Sequence, residues 1–379
     1  MNMDRASVVI VGGGVVGCAI ARALASRWND VFLLEAQNKL ALGASSRNSG
    51  VIHAGLYYPP GSLKARHCVR GNRLTYEFAA AHGVPHRNTG KLVVASGPEE
   101  TPQLEELMKN ASANGVEGLR MLDRAELRRR EPHIEGFQAL ESPSTGIIAS
   151  EELVKAYARI AADRGGHILT SARVSGLEPG PDAVRVISAA GEIEARCVVN
   201  SAGLFADEVA AMIGSKMARH RIYPVRGDYC EIASAKREWV RGLVYPLPHA
   251  DGLSLGVHLT RTIWGSVLVG PTARYVEDKN DYERGREPVE EFARKTRLLL
   301  PGIEASDLAP AHSGIRAKLT PRPGSSATQA SPGGIADFII QSDPEFPRVI
   351  HLLGIESPGL TSAAAIAEQV SELVALALG

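Results

Sequence analysis

Residues 12–17 read Gly-Gly-Gly-Val-Val-Gly and satisfy the pattern G-x-G-x-x-G. They follow a short apolar run, rich in β-branched residues, at 6–11, and residues 16–28 have the composition of a helix. A second apolar run at 31–34 then ends in Glu35. This order of strand, glycine turn, helix, strand and acid is typical of a dinucleotide-binding unit. It predicts an α/β fold whose chain begins in a buried parallel sheet.

The residues of the glycine turn have separate tasks in such a unit. Gly12 permits the tight turn, Gly14 lets the backbone approach a pyrophosphate, and Gly17 lets the helix pack close to the strand. The helix that begins near Val15 and Val16 offers N–H groups and a partial positive charge to the phosphates. We predict that these five residues form the cofactor-binding turn.

Glu35 indicates which dinucleotides suit the site. Its carboxylate can accept hydrogen bonds from ribose hydroxyls, and it repels a 2′-phosphate, which argues against NADP. The fingerprint alone does not decide between NAD and FAD. The segment that follows, 45–58 (SSRNSGVIHAGLYY), has no regular period and is rich in hydrogen-bonding groups, which is typical of a binding loop. A loop in this position is well placed to line a flavin ring.

Composition excludes several classes of function. The 379 residues carry 42 basic and 42 acidic side chains, so there is no electrostatic case for a nucleic-acid partner. No apolar window approaches the ~18 residues of a membrane span, and the first residues do not resemble a signal peptide. The four cysteines are widely spaced and predict reduced thiols and no metal site. We expect a cytoplasmic protein, with peripheral contact at the inner membrane face and homo-oligomer formation left open.

Two later segments are predicted to join the cofactor domain. Residues 151–166 have helical spacing, 167–178 and 183–191 read as two strands, and 196–204 form a strand whose end would lie beside the glycine turn. We expect Ala202 and Gly203, at the end of that strand, to approach the cofactor, because Gly203 admits backbone contact.

The C-terminal segment again has the order strand, turn and helix. A strand at 349–353 precedes a Gly/Pro turn and an apolar helix at 363–378. N–H groups of Gly359, Leu360 and Thr361 would face the pyrimidine edge of a flavin, although the same pattern also fits a plain helix start.

These segments predict a discontinuous organisation. Stretches at 85–95 and 219–275 are strand-rich, and 325–334 reads as a polar loop. We predict a Rossmann-like FAD-binding domain with an interleaved β-rich substrate domain. The FAD-binding domain is expected to comprise residues 1–82, 145–216 and 311–379, and the substrate domain residues 83–144 and 217–310.

The chain resembles the FAD-dependent oxidoreductases of the D-amino-acid-oxidase-like superfamily, and within it most resembles the L-2-hydroxyglutarate dehydrogenase (oxidase) family. The motifs that carry the resemblance run from end to end: GGGVVG with Glu35, SSRNSGVIHAGLYYPPGSLKARHCVRG, TGKLVVA, VVNSAGLFADEVA, YPVRGDY, LGVHLTRT, SGIRAKL and HLLGIESPGLTSAAAIAE. The resemblance implies FAD as cofactor and oxidation of an L-2-hydroxy acid to a 2-oxo acid. Trp264 and a longer loop at 322–334 depart from the family pattern.

The resemblance also implies which residues contact the flavin. The loop after Glu35 would pass along the isoalloxazine ring and supply polar contacts to the ribityl chain, pyrophosphate and ring edge. The expected cofactor contacts beyond the glycine turn are Ser45, Ser46, Arg47, Asn48, Ser49 and Val174.

His53 would then lie beside the redox centre. When hydride leaves C2 of a secondary alcohol for flavin N5, the hydroxyl proton must also leave, and a histidine is a natural acceptor. Covalent attachment to the flavin, ring packing and a purely structural role stay open for His53. His258 is a second candidate base or substrate contact, and it could equally face the core.

The carboxylate of the substrate needs a fixed cation, and arginine binds a carboxylate with two parallel hydrogen bonds. Arg316 is the first candidate, because the resemblance implies an equivalent arginine over the flavin. Further candidates for substrate contact are Tyr58, Lys64, Tyr229 and Arg261, with Arg47 also considered for a second carboxylate.

Three functions compete at this point. The first is an FAD-linked 2-hydroxy-acid dehydrogenase that passes electrons to a quinone, a carrier protein or oxygen. The second is an FAD-dependent amine or amino-acid oxidase, for which a base is less necessary because an amine can lose its proton before binding. The third is a flavin-holding protein without turnover.

Overall fold

A computed structural model describes residues 4–248, 256–322, 324 and 336–379. The polar loop expected at 325–334 lies outside the described residues. The described chain forms eight α-helices: α1 (Val15–Leu24), α2 (Leu63–His82), α3 (Thr101–Ala113), α4 (Arg124–Arg130), α5 (Ser150–Asp163), α6 (Ala206–Met212), α7 (Val289–Thr296) and α8 (Gly359–Leu378).

The same residues form twenty β-strands: β1 (Asp4–Val11), β2 (Val31–Leu34), β3 (Val51–Ile52), β4 (His86–Asn88), β5 (Lys91–Ala95), β6 (Arg120–Leu122), β7 (Gln138–Ser142), β8 (Gly146–Ile148), β9 (His167–Leu169), β10 (Val174–Pro179), β11 (Val184–Ser188), β12 (Gly191–Asn200), β13 (Tyr223–Ile232), β14 (Leu243–Pro246), β15 (His258–Arg261), β16 (Val267–Gly270), β17 (Arg274–Tyr275), β18 (Leu308–Lys318), β19 (Ile339–Ser342) and β20 (Val349–Leu353).

The first sheet contains the predicted parallel strands, together with β10, β11 and β19, which pair antiparallel. Strand β1 lies between β12 and β2, and all three are parallel. Strand β9 continues the parallel order beyond β2, and β20 pairs in parallel with the last residues of β12. The chain segments that follow β1, β2, β12 and β20 therefore emerge at one edge of the sheet, where ligands bind in open α/β folds.

The sheet is buried on both faces, as the β-branched sequence of β1 predicts. Val8 and Ile10 pack with residues of α1, α5 and α8 on one side. Val9 and Val11 pack with β10, β11 and α6 on the other. Each of these side chains is at most 6% exposed, so β1 is the central element of the core.

The second sheet has nine strands in the order β17-β13-β16-β15-β14-β5-β7-β6, with β18 on the other side of β13. A small third sheet, β3-β8-β4, joins the two. The whole of β18 pairs with β13, although the predicted domain boundary falls within it at 311. The segment 167–178, read as one strand, forms two, β9 and β10, because the chain turns at Ser171, which has a φ of 55°.

Helix α8 is the element closest in composition to a membrane span. Its 20 residues are long and apolar enough by that measure alone, but 56% of its apolar window is buried inside the protein. It packs against α1 and α2, with Ile366 and Val370 fully buried. These contacts make α8 a helix of the hydrophobic core beside the first sheet.

Gly17 provides the first test of this architecture. A Cβ atom at Gly17 would lie 2.0 Å from the Gly12 carbonyl oxygen and 2.8 Å from Ser201 Oγ. Because both neighbours belong to the tightly packed turn, we expect Gly17→Ala to lower the free energy of unfolding by about 1–3 kcal/mol and to abolish FAD retention. Urea denaturation of the FAD-free protein measures the first effect. Gly43→Ala is the control, since nothing lies within 4 Å of its Cβ position. Equal stability of the two variants would contradict the packing argument.

Candidate active site

A cavity of about 1110 Å³ begins at the carboxyl edge of the first sheet and extends to the second sheet. Gly12, Glu35 and Ala202 line its first part, and Tyr229 and Arg316 line its far part. The volume exceeds the 300–1,000 Å³ typical of small-ligand pockets. It is therefore large enough for a dinucleotide together with a small substrate.

The glycine turn is shaped for close approach. Gly12 has a φ of 107°, and a Cβ there would lie 2.7 Å from the carbonyl oxygen of Ser201. The Val15 N–H donates to Ser45 Oγ over 2.9 Å, which joins the helix start to the next loop. The Glu35 carboxylate accepts from the N–H groups of Gly13 and Gln37, at 2.6 and 2.7 Å. This fixes an acid at the cavity edge, where a ribose is expected.

The residues of the loop 45–49 differ in how they contribute to the cavity wall. Arg47 lines the cavity, and its guanidinium lies 4.2 Å from the centre of the Tyr282 ring. Ser49 also lines it and is close enough to Tyr229 to affect the pKa of that residue.

Asn48 and Ser46 use their side chains within the protein. Asn48 lies at the cavity wall, and its amide group bonds to the carbonyls of Ala44 and Ser45 and to the N–H of Gly50. Its Oδ1 also accepts from Ser150 Oγ at the start of α5, over 3.0 Å. Ser46 does not line the cavity, and its Oγ faces the Gly43 carbonyl.

The other predicted cofactor residues divide in the same way. The residues that line the cavity are Gly14, Val15, Val16, Val174, Ala202, Gly203, Gly359 and Leu360. Gly17 lies behind the turn, and Thr361 is fully buried behind the start of α8. Thr361 Oγ1 accepts from the His53 N–H over 2.9 Å, so this residue positions His53. The cradle at Gly12, the acid at Glu35 and the helix start at Val15 fit the adenosine and pyrophosphate of FAD.

His53 faces the cavity directly after strand β3. Its Nε2 lies 3.4 Å from Ser357 Oγ, and its carbonyl accepts from Asn72 Nδ2 over 2.9 Å. Burial, and next the Lys91 ammonium, lower the pKa of His53 to about 3. The ring is therefore neutral at pH 7. A neutral imidazole can accept a proton.

Lys91 is a functional neighbour that reasoning from the sequence did not identify. It is 2% exposed, and its Nζ donates to the Tyr57 hydroxyl over 3.3 Å. The ammonium also lies 4.5 and 4.8 Å from the ring centres of Tyr57 and Tyr245, two residues of the cavity wall. No carboxylate in the described ranges is within ion-pair distance, and burial lowers the pKa of Lys91 to about 7. It brings positive charge behind the aromatic wall near His53.

Arg316 reaches the cavity from strand β18. Its Nη1 is 3.4 Å from the Thr272 carbonyl, and no ion pair to a carboxylate forms within the described part of the chain. Tyr229 is close enough for its pKa to be affected by this guanidinium. Arg316 is thus a cation available to an anionic ligand.

The other residues predicted to contact the substrate differ in their surroundings. Tyr58 lines the cavity, with its hydroxyl 3.5 Å from Ser357 Oγ, and Tyr229 lines it while stacking on His312. His258 lines it too, and its ring stacks on Tyr245 at 3.6 Å between centres. Both expectations for His258, a core contact and a site contact, therefore apply.

One sequence-based candidate, Arg261, and the atypical residue Trp264 lie away from the cavity. Arg261 forms an ion pair of 2.7 Å with Glu238 and donates to the carbonyl of Val240, so its guanidinium is not available to a substrate. Trp264 is 72% exposed, in the turn between β15 and β16. It is not part of the cavity wall, so its departure from the family pattern does not alter the site.

Lys64 is in the cavity wall, but it already has a partner. Its Nζ lies 2.9 Å from Glu356 Oε1, with side-chain exposures of 3% and 10%. Lys318 lies 3.8 Å from the same oxygen. Burial opposes the charge on Glu356, but Lys64 and Lys318 outweigh it and lower the pKa of this carboxyl group. Lys318 could have been identified from the sequence, because it lies two residues after Arg316 on a predicted strand and so shares its face. No feature of the sequence indicates that Glu356 belongs to the site.

Comparison with characterised proteins is consistent with this geometry. The sequence profile of a family described as FAD dependent oxidoreductase matches residues 7–373. The mitochondrial L-2-hydroxyglutarate dehydrogenase of Arabidopsis thaliana is 35% identical over 97% of this chain and 83% of that protein. The L-2-hydroxyglutarate dehydrogenase of Escherichia coli is 34% identical over 96% of this chain and 91% of that protein.

Solved structures share the fold. L-α-glycerophosphate oxidase of Mycoplasma pneumoniae, dithionite-reduced and with FAD bound, has a TM-score of 0.87 and 26% identity, over 98% of this chain and 95% of that one. Glycine oxidase of Geobacillus kaustophilus has a TM-score of 0.81 and 21% identity, over 99% of this chain and 95% of that one. The second likeness concerns the fold alone.

Proposed function

This chain belongs to the family of FAD-dependent oxidoreductases, and from that premise we propose that it oxidises an L-2-hydroxy acid to the 2-oxo acid. L-2-hydroxyglutarate is the proposed substrate, because relatives of 31–35% identity bear its name. The observation that supports the chemistry best is that one cavity contains a dinucleotide cradle, a neutral histidine and a guanidinium without an acidic partner among the described residues.

The chain's own residues divide the work between binding and proton transfer. Arg316 binds the carboxylate next to the reacting carbon and so fixes the orientation of C2. His53 Nε2 accepts the proton of the hydroxyl group. Bound FAD supplies the acceptor for the hydride that leaves C2. The Thr361 hydroxyl and Asn72 amide hold the His53 backbone, which limits the movement of its ring.

The charge on the ligand compensates for the low basicity of His53. Burial and Lys91 disfavour the imidazolium. A bound carboxylate adds negative charge near the ring, and an opposite charge within a few ångströms raises the pKa of a histidine. Substrate binding therefore makes His53 a stronger base at the stage where a base is required.

The second candidate function is oxidation of an amino acid or amine on the same scaffold, and glycine oxidase shares that scaffold. His53 favours the hydroxy acid, because an alcohol cannot lose its proton before binding as an amine can. We propose a quinone, a carrier protein or oxygen as the final electron acceptor. Cytoplasmic localisation and homo-oligomer formation stay predictions, and several relatives carry mitochondrial names.

Anaerobic reduction of the purified yellow protein tests the proposal. L-2-hydroxyglutarate should bleach the flavin absorbance, whereas its D-enantiomer and L-glutamate should not. Bleaching by L-glutamate alone would favour the amino-acid oxidase. A flavin that stays yellow with every hydroxy and amino acid would favour a binding protein without turnover. Mixing the reduced protein with oxygen or with a quinone then identifies the acceptor.

A further inference from the structure

Lys318 and Arg316 lie on the same face of strand β18. Ile315, Ala317 and Leu319, which alternate with them, pack in a hydrophobic cluster. Arg316 and Lys318 line the cavity, whose wall also includes Ile315 and Ala317. Residues two apart on a strand are separated by about 6.6 Å. The two cations are therefore neighbours along one wall of the cavity.

This wall of the cavity has a surplus of positive charge. Glu356 is its acid, and Lys64 and Lys318 both contact the same carboxylate oxygen, at 2.9 and 3.8 Å. Arg316 has no acidic partner among the described residues. One carboxylate therefore faces three cations, and two positive charges are left without compensation. Because uncompensated buried charge is costly, the wall is suited to a ligand with two negative charges.

Of the three cations, Lys318 makes the weaker of the two contacts with Glu356. Lys64 is within 2.9 Å of Glu356, so this pair is close to neutral. Lys318 lies 3.8 Å from that carboxylate, beyond normal hydrogen-bond distance, and 11% of its side chain is exposed. The surrounding burial and the charges of Arg316 and Lys64 lower the pKa of Lys318, whereas Glu356 raises it. An added carboxylate would relieve this repulsion.

We propose that Arg316 and Lys318 form a dicarboxylate subsite in which Lys318 binds the carboxylate distal to the reacting carbon. The inference rests on the proposed function for the role of Arg316 at the proximal carboxylate. It adds the residue that distinguishes a diacid from a monoacid. A monoacid of the same length leaves the Lys318 ammonium without a partner, and a site built for a polar group rejects the analogue that lacks it.

Binding of non-reactive acids to the oxidised holoenzyme tests this inference without turnover. Glutarate and pentanoate have five carbons each and differ in one carboxylate. Their dissociation constants can be read from perturbation of the flavin absorbance. We expect Lys318→Gln to weaken glutarate binding about 10- to 100-fold, from the value of a charged hydrogen bond, and to change pentanoate binding less than about 2-fold. Lys318→Arg should retain most of the preference for glutarate.

Lys216→Gln is the matched control, because Lys216 is 77% exposed and pairs with Glu345 away from the cavity. Equal weakening of both acids in Lys318→Gln, or an unchanged glutarate constant in a variant that binds FAD less tightly, would overturn the proposal and assign Lys318 to the fold or the cofactor. If no hydroxy acid reduces the flavin but the wild-type preference for glutarate depends on Lys318, the proposed reaction fails and the subsite stands.

Discussion

A His53→Ala variant is expected to retain FAD and to be reduced by L-2-hydroxyglutarate about 10²- to 10⁴-fold more slowly than the parent, the usual contribution of a general base. FAD retention is expected because the contacts that hold this segment involve backbone atoms of His53, which the substitution keeps. Stopped-flow absorbance under anaerobic conditions measures the rate. His53→Gln is a second variant that leaves a smaller cavity.

The control for this prediction is His220→Ala, whose ring lies outside the cavity wall. It should be reduced at the parental rate. Reduction of His53→Ala at that same rate, with FAD bound, would remove His53 from the mechanism and favour an amine substrate.

The pKa of His53 also predicts how acid acts on the fold. Its folded-state pKa is lowered to about 3, whereas an unfolded histidine titrates near 6.5. The unfolded chain therefore binds this proton first, and the contribution of neutral His53 to stability is present above pH 6.5 and is lost as the pH falls towards 3. Comparison of urea denaturation of the parent and His53→Gln across this range should show a shallower acid dependence in the variant.

The second large effect is expected at Arg316. Arg316→Met should lower kcat/KM for L-2-hydroxyglutarate about 10²- to 10³-fold, since an interaction between a buried guanidinium and a carboxylate is worth several kcal/mol. Arg316→Lys should recover part of this loss, because it restores the charge but not the two-pronged geometry. Steady-state kinetics with an artificial electron acceptor provides the measurement.

Arg261→Met is the matched control, because Arg261 is on the same sheet but is bound to Glu238 away from the cavity. Its kcat/KM should change less than about 2-fold, as is usual for a partly exposed ion pair. A loss in Arg261→Met as large as that in Arg316→Met would refute the assignment of the carboxylate site.

The cofactor half of the fold is predictable from sequence because its constraints are local. The glycine turn and Glu35 lie within one strand–helix–strand unit, where each residue type has a fixed geometric task. Arg316 is identified by resemblance, and the structure brings it to the same cavity as Glu35.

The other half of the site depends on contacts between distant segments. Lys91 lies in a strand of otherwise apolar residues, and nothing near it in sequence predicts that Tyr57 and Tyr245 enclose its ammonium. Arg261 lies on a strand that its sequence pattern predicts. Whether its guanidinium contacts Glu238 or a substrate is decided by the packing of the separate segment that contains Glu238. The amide of Asn48 bonds to its own loop and also to Ser150, which lies 102 residues further along the chain.

The dependence of His53 on Thr361 has a consequence for biosynthesis. These two residues are 308 positions apart, and helix α8 packs on α1 and α2 from the first part of the chain. A ribosome therefore completes the dinucleotide cradle long before the segment that anchors the catalytic backbone has emerged. A chain released before α8 has been translated lacks both the anchor of the His53 backbone and a helix that packs on α1 and α2.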